Sequence, residues 1–476
     1  MGVVLVLCTF NCAGSNIDLE HFQNLYCMNS RKDRYVNMKE ELNRRNIQSS
    51  LNNNKPSFSF SVMPSYSESI SPVMQPDGTF KNYNIHNFNM TPSFSASFPI
   101  DISGGTLSIA SSVGFYRNIN KDNSFSNISA NLYSVRFSQP LSFFKSSKWA
   151  KKNAIANYNI ASISIIKDHI GMKNDATKLF FNILSNNLMM ENIENEILMS
   201  DSVKIILMNL KNAGKIMETE IEALELEIMS KRILLQELQI KQESLINETI
   251  SNMNESVTIG LFKNLEIPKF PDMILDIENL MDILLEKQSY ISAQKGIDFE
   301  YLIDEAKKNR SLLPTLQIGV GQNGAGNNFN EIWDNKKLSY DISFNITIPI
   351  SNLQDNDNKL EIAKLNYNMF KLEQEEYEFQ ERLKLKEAVN LFMIYKSKMN
   401  IKNDLKSLYE KEKIQYINLL RQGKIMYEDY RRTIIKQNEN EKEILAIVEE
   451  AYLILNQIEI LLLFDFSGNE SYIVLN

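Results

Sequence analysis

Two periodicities of apolar residues alternate along the chain, and each occurs twice. In residues 18–50 and 273–311 the apolar residues recur at helical spacing, which predicts two helices that are stopped by Pro56 and Pro314. After each proline every second residue is apolar, most clearly in 338–350, whose other face is mostly Ser, Asp, Asn and Thr. This alternation predicts strands with one apolar and one polar face. The predicted strand regions are 57–141 and 315–350.

A very long helical pattern follows each strand region. The segments 145–211 and 354–422 contain no proline and only one glycine between them. Roughly 67 residues at about 1.5 Å each would form a helix of about 100 Å, which requires lateral packing in a coiled-coil arrangement. The pattern stops at Gly214 and Gly423 and then resumes, so each helix is predicted to turn back on itself. The predicted helical hairpins are 145–250 and 354–463.

One constant offset relates the two halves of the chain. Gly-Lys-Ile-Met occurs at Gly214–Met217 and again, 209 residues later, at Gly423–Met426. The same offset carries Pro140-Leu141 onto Pro349-Ile350, which indicates an internal duplication. We predict repeat 1 at 15–250, a linker at 251–271, repeat 2 at 272–465 and a C-terminal tail at 466–476.

The strand region of the first repeat is longer than that of the second. Pro56 and Pro314 differ by 258 rather than 209, so we expect 49 extra residues between the opening strand and Pro140. In that stretch Pro92–Ile100 and Gly104–Tyr116 alternate and are joined at a Gly-Gly pair, which predicts an additional hairpin. Two interpretations are open, because the hairpin either extends the sheet or stands above it as a surface loop.

The chain begins with an apolar run that ends in small residues. Residues 1–14 are therefore predicted to be a secretory signal peptide, although no Lys or Arg precedes the run; the alternative is a buried N-terminal strand. No segment has 18 or more consecutive apolar residues, so a membrane crossing would have to use strands. Alternation over more than ten residues, as in 338–350, suits a barrel wall between lipid and a wet lumen.

The strand count has a consequence for assembly. Four strands, or six with the additional hairpin, cannot close a barrel within one chain. Open edges in hydrocarbon would leave backbone groups without partners, at a cost on the order of several kcal/mol each. We therefore expect several chains to close the sheet together, with their helical hairpins forming a hollow α-helical cylinder.

Composition narrows the classes of function. The net charge of −8 argues against a nucleic-acid-binding protein, since no basic surface dominates. The three histidines lie far apart in the sequence, and no nucleophile, base or metal-ligand constellation emerges. We predict no enzyme activity, no cofactor and no metal site. No nucleotide motif is visible, so energy for any transport would come from a partner.

These features together resemble the TolC family of outer-membrane efflux proteins. Leu313–Gly319 is similar to the family's strand opening, Phe344–Ile350 to its second strand, and Gly423–Asp429 to its tip motif, which Gly214–Glu220 matches in repeat 1. The resemblance covers nearly all of residues 17–465. It implies a mixed α and β membrane protein: a homotrimeric β-barrel in the lipids of a Gram-negative outer membrane, continuous with a long periplasmic α-helical coiled-coil barrel.

The resemblance also implies where partners bind. The glycine turns would lie at the periplasmic tips, where an adaptor protein contacts Gly214, Lys215, Gly423 and Lys424. An alternative is that the glycines only end the helices in the left-handed conformation. The lysines would then only complement the negative ends of the helix dipoles.

The acidic residues six positions after the turn glycines are candidates for a tunnel constriction. Glu220 and Asp429 would form a ring of carboxylates that biases the tunnel toward cations. The alternative is that they only stabilise helix N-termini. Arg432, one turn after Asp429, is expected to pair with it or with an acid of a neighbouring chain and to hold the end closed.

Two functions from different classes are compatible with these patterns. The first is the outer-membrane channel of a tripartite efflux or secretion system, a passive duct for small molecules or proteins that works with a periplasmic adaptor and an inner-membrane transporter. The second is a coiled-coil and β surface scaffold or adhesin without a through-channel. Duplicated turns in register favour the duct, because a scaffold does not need two equivalent turns.

Overall fold

A computed structural model of the chain describes residues 17–52, 55–100, 103–119, 124–141, 146–253, 262, 265–310, 313–347, 353–466 and 470–472. The predicted signal peptide lies outside the described residues. The chain divides into two compact units. Unit 1 comprises Met1–Leu42, Ala161–Ile291 and Glu375–Asn476, and unit 2 comprises Asn43–Ile160 and Ser292–Gln374.

The helices and strands follow the predicted order. The helices are α1 (Leu19–Asn29), α2 (Arg31–Asn52), α3 (Ser146–Asn212), α4 (Glu218–Asn252), α5 (Ile277–Arg310), α6 (Phe329–Asp334), α7 (Leu353–Arg421) and α8 (Tyr427–Leu462). The strands are β1 (Ser57–Met74), β2 (Phe80–Ile100), β3 (Gly105–Ile119), β4 (Ser124–Pro140), β5 (Leu313–Gly326), β6 (Lys337–Thr347), β7 (Phe464–Asp465) and β8 (Glu470–Ser471).

The two long helices have 67 and 69 residues, and neither contains a proline. Their backbone donors therefore continue without a break, as the sequence predicts. No helix in the described part of the chain has the length and apolarity needed to cross a membrane.

The first predicted helix, 18–50, is in fact two helices. Ser30 is extended, with φ −73° and ψ 151°, and its N–H bonds to the Tyr26 carbonyl at 2.9 Å, which ends α1. Its hydroxyl then accepts a hydrogen bond from the Asp33 N–H at 3.0 Å and caps α2. The apolar periodicity continues across this break, so the pattern alone predicts one helix.

The three largest apolar clusters of the described residues lie in unit 1. The first surrounds Phe22, Phe180, Phe181 and Phe262, all with less than 2% exposure, and packs α1 with α3, α4 and α8. The second packs α5 with α7 and α8 around Leu284, Leu385 and Phe392. The third joins the helix ends near the two glycine turns and contains Val203, Leu207, Leu224, Leu420 and Tyr430. The helices are thus held together along their length rather than at one central core.

Unit 2 contains a single antiparallel sheet with the strand order β1-β2-β3-β4-β5-β6. Its six strands are the predicted four and the additional hairpin, and the hairpin extends the sheet. A bulge in β4 between Asn131 and Tyr133 shifts the register against both neighbouring strands.

The position of the additional strands differs from the prediction. Subtracting 209 from Leu313, where β5 begins, gives position 104, and β3 begins at Gly105. The pair β3–β4 therefore corresponds to β5–β6, and the extra pair is β1–β2, which precedes it. Alignment of Pro56 with Pro314 placed the insertion one strand too late, because both prolines end a helix before an alternating segment.

Candidate functional site

The first predicted turn is a left-handed glycine at the end of α3. Gly214 has a φ of +71°. The N–H groups of Gly214 and Lys215 bond to the carbonyls of Lys211 and Leu210 at 2.8 and 2.9 Å. This is a Schellman motif, which satisfies the last carbonyls of a helix and favours glycine because it has no Cβ. Lys211 Nζ also lies 2.6 Å from Glu218 Oε1 at the start of α4, in an exposed ion pair.

The second turn repeats this geometry at the end of α7. Gly423 has a φ of +67°, and the N–H groups of Gly423 and Lys424 bond to the carbonyls of Leu420 and Leu419 at 2.9 and 3.0 Å. Its surroundings are more crowded, since a Cβ at Gly423 would lie 3.2 Å from Leu210 Cδ2, whereas a Cβ at Gly214 would meet nothing within 4 Å. The two turns therefore lie side by side.

The predicted adaptor-binding residues are accessible in this chain. Gly214, Lys215, Gly423 and Lys424 are all exposed. Met217 and Met426, at the ends of the two motifs, are 73% and 72% exposed. Each turn thus presents a lysine and an unburied thioether side chain, a combination of charge and apolar surface that a protein partner can contact.

The predicted constriction acids lie in the first turns of the second helices. Glu220 is in the first turn of α4 and Asp429 in the first turn of α8, where neither helix has a side-chain cap. Their carboxylates make no ion pair with any described residue. This placement favours both helix N-termini electrostatically. Their role at a tunnel constriction stays a prediction.

The arginine that ties the two helical hairpins together is Arg431 rather than Arg432. Arg431 Nε donates to Glu227 Oε1 on α4 at 2.9 Å. Arg432 is 68% exposed, and its Nε lies 3.8 Å from Glu428 Oε1 instead of pairing with Asp429. Consecutive residues point about 100° apart around a helix, so only one of the two arginines can face α4.

Glu227 is the centre of a half-buried network that joins α3, α4 and α8. Its carboxylate, 15% exposed, lies 2.8 Å from Lys231 Nζ and 3.3 Å from the Tyr427 hydroxyl. Lys231 in turn lies 3.0 Å from Glu196 on α3. We define these four residues and Arg431 as the Glu227 network.

Burial and neighbouring charges shift the pKa values of Glu227 and Tyr427. Burial raises the pKa of Glu227, but the hydrogen bonds and charges of Lys231 and Arg431 outweigh burial and hold this pKa below its ordinary value. Burial and the neighbouring Glu227 carboxylate raise the pKa of Tyr427 to about 12. The network therefore holds an ionised glutamate and a neutral tyrosine at physiological pH.

Sequence reasoning missed the Glu227 network. The Glu227–Lys231 pair has the i,i+4 spacing that is visible in a sequence. Nothing in the sequence connects Glu227 with Arg431, because 204 residues separate them.

In unit 2 the sheet has one face of hydroxyl and amide side chains. On β1 this face consists of Ser57, Ser59, Ser61, Met63, Ser65, Ser67 and Ser69. The hydroxyl oxygens of Ser59 and Ser95, and those of Ser61 and Ser93, lie 2.7 Å apart across the β1–β2 pair. The register carries this polar face across the sheet, through Ser112, Asn131 and Asn323.

The opposite face of the sheet is uncovered and mostly apolar, with Glu68, His86 and Arg117 near the end that carries the β1–β2 turn. Phe60 on β1 is 72% exposed, and Tyr340 and Ile342 on β6 are 71% and 77% exposed. Apolar side chains of the inner strands share this face, among them Phe94, Ile109, Val135 and Ile318. A large exposed apolar surface marks a contact with membrane or protein.

One ion pair crosses the polar face. Arg136 Nε on β4 lies 3.8 Å from Asp341 Oδ2 on β6. Gly319 of β5 is in register between them, and a Cβ there would clash with the Asp341 carboxylate. The glycine therefore leaves the space through which the pair reaches over β5. Within the described strands, the other charged residues on this face are Lys81 and Lys337, at the opposite end from α3 and α7.

The chain matches no protein-family model, and no curated protein matches its sequence. Solved structures nevertheless share its fold. The Campylobacter jejuni CmeC outer membrane channel matches with a TM-score of 0.63 and 12% identity, over 96% of this chain and 87% of that one. The outer membrane protein VceC of Vibrio cholerae matches with a TM-score of 0.63 and 9% identity, over 96% and 97%.

A third similar structure is CusC, studied for the conformational changes that accompany folding and transmembrane channel formation. It matches with a TM-score of 0.60 and 12% identity, over 95% of both chains. At these identities the likeness concerns the fold, and it extends over nearly the whole length of each chain. The protein thus has the fold of outer-membrane channels.

Proposed function

We propose that this protein is a TolC-family outer-membrane channel that acts as a passive export duct in a tripartite efflux or secretion system. The observation that carries the proposal is the likeness of fold to outer-membrane channels over at least 95% of the chain in the three comparisons above. In this proposal the protein resides in the outer membrane and extends into the periplasm.

The two faces of the sheet support this function. Three copies would close their sheets into a barrel, with the exposed apolar face toward lipid and the serine and asparagine face toward an aqueous lumen. The Arg136–Asp341 pairs would then line the pore and place both signs of charge at one level.

The glycine turns support contact with a periplasmic adaptor. Both turns are exposed and rigidly defined by their hydrogen bonds, so they offer two equivalent contact points per chain. The Glu227 network would hold the α7–α8 hairpin against the α3–α4 hairpin in a closed tip. Adaptor binding would have to break this network before the tip could open, with the energy supplied by an inner-membrane transporter.

The proposal is tested by measuring mass and conductance on the same preparation. We expect the detergent-purified protein to be a trimer by light scattering and to open ion-conducting pores in planar lipid bilayers. A monomer that remains non-conducting after insertion would reject the duct and favour the scaffold or adhesin. A variant with Asp341→Asn should conduct with reduced preference for cations, which separates a true pore from leakage around aggregated protein.

A further inference from the structure

We propose that the β1–β2 hairpin is part of the pore wall and that β1 of one copy pairs with β6 of the next. Three six-stranded sheets would then close a barrel of eighteen strands. This inference rests on the proposed function, which it deepens by specifying the contact between copies and the width of the pore.

The hairpin is continuous with the sheet. β1 pairs with β2 without any shift from Ser57 opposite Ser97 to Met74 opposite Phe80. β2 continues onto β3 from Ile100 opposite Gly105 to His86 opposite Ile119. A surface loop above a smaller barrel would not need this constant register on both sides of β2.

The hairpin also continues both faces of the sheet. Phe58, Phe60 and Ile70 on β1 are 65%, 72% and 66% exposed, on the same face as the apolar residues of the inner strands. The serines of β1 occupy the polar face. A hairpin in water would have no use for a row of exposed aromatic side chains, whereas a strand between lipid and lumen requires it.

Only β1 and β6 have an unpaired edge in this sheet. Both edges would face hydrocarbon in a membrane, where unpaired backbone groups are too costly to remain. β1 and β6 run in opposite directions, so β1 of one copy beside β6 of the next forms an antiparallel pair like every other pair in the sheet.

The two edges are compatible in length and sequence. If Ser57 lies opposite Thr347, the eleven residues of β6 reach Ser67 on β1. Of the two prolines in β1, only Pro64 falls within that span, so at most one backbone donor is missing. This register brings odd-numbered residues together, which joins polar face to polar face.

The width of the pore follows from the strand count. Barrel diameter grows roughly linearly with the number of strands, so eighteen strands give about 1.5 times the diameter of twelve. Barrels of about 16 to 18 strands leave an open aqueous channel. The channel would therefore admit bulkier cargo than a barrel built only from β3 to β6.

Disulfide trapping in membranes tests the pairing. In a chain with Cys8, Cys12 and Cys27 each replaced by Ser, the double variant Ser61→Cys and Ser343→Cys should form disulfides between copies and give covalent dimers and trimers on non-reducing gels. Two further pairs, Ser61→Cys with Asn345→Cys and Ser59→Cys with Ser343→Cys, cover a shift of register by two residues in either direction. The variant Ser59→Cys with Ser95→Cys is the matched control, since these residues face each other within one chain and should give no increase in mass.

The competing arrangement predicts a different bridge. If the β1–β2 hairpin were displaced and β3 met β6, Ser112→Cys with Ser343→Cys would link the copies and the β1–β6 pairs would not. That result, or a conducting trimer in which no β1–β6 pair forms a bridge, would overturn the inference and leave the duct intact. A protein that never forms trimers would instead reject the proposed function.

Discussion

The two Gly-Lys-Ile-Met turns have the same backbone and different surroundings. In each turn a long helix ends at a glycine in the left-handed conformation, and the same pair of backbone hydrogen bonds closes the turn. Around the first turn the two helices are joined by the exposed Lys211–Glu218 ion pair. At the positions 209 residues later the second turn has Leu420, which is 1% exposed, and Tyr427, which contacts Glu227.

This comparison separates what a turn needs from what fixes its position. The backbone motif is local and needs only glycine at one position. The packing of Leu420 and the Glu227 network fasten the second hairpin to the first, whereas a Cβ at Gly214 would meet nothing within 4 Å. We infer that the two tips have similar structures and different stabilities.

The largest difference in the free energy of unfolding is expected between alanine substitutions at two positions that are 209 residues apart. Leu420→Ala removes a buried side chain and should lower the free energy of unfolding by about 3 kcal/mol. Lys211→Ala, at the equivalent position of repeat 1, removes only an exposed surface ion pair and should have a much smaller effect on the free energy of unfolding. Denaturant unfolding in detergent measures both. Equal effects would mean that the two turns are equally embedded.

A substitution in the Glu227 network should also destabilise the second hairpin more than the first. Glu227→Gln leaves Arg431 and Lys231 without their carboxylate and should destabilise the contact between the hairpins by about 2 kcal/mol. Hydrogen exchange at the start of α8 should then accelerate more than exchange at the start of α4. Glu225→Gln is the matched control, because the Lys204–Glu225 pair is more exposed. Unchanged exchange at α8 would show that apolar packing alone holds the second hairpin.

Alanine substitutions at Gly214 and Gly423 compare how closely each turn is packed. Gly214→Ala should cost about 1 kcal/mol, since only the positive φ opposes the new Cβ. Gly423→Ala should cost about 2 kcal/mol, because the Cβ also approaches Leu210. Thermal unfolding of the two variants gives the order. A reversed order would contradict the packing described for the second turn.

The smallest effect is a pH dependence of opposite sign at the two turns. The Lys211 hydrogen bond lowers the pKa of Glu218, so its contribution is present above the ordinary glutamate pKa and is lost as pH falls through the lowered value. Burial and Glu227 raise the pKa of Tyr427 to about 12, so its contribution is present below about pH 10 and is lost as pH rises toward 12.

Methionine methyl NMR signals measure this difference. Met217 should report a change at acidic pH and Met426 a change at alkaline pH, since each lies beside the residue that titrates. Glu218→Gln should remove the acidic change and leave the alkaline one. Identical profiles for both methionines would show that the two turns respond as one body.

The sequence by itself determined the long helices, the glycine turns and the two-faced strands. Each depends on interactions within a few residues: an uninterrupted helical pattern in 354–422, a glycine where φ is positive, and alternation in 338–350. The chain alone also indicated that the strands are too few to close a barrel. The duplication remains an inference from the constant offset in the sequence.

Only the tertiary structure decided which residues meet across the repeats. Arg431 rather than Arg432 binds Glu227, because the rotation of α8 against α4 selects the side chain that faces inward. Ser30, at the break between α1 and α2, also forms an isolated bridge with Met253, and only strand pairing shows that the additional hairpin extends the sheet. Local periodicity carries no information on such contacts, since the residues involved lie far apart in the chain and meet only when helices and strands have packed.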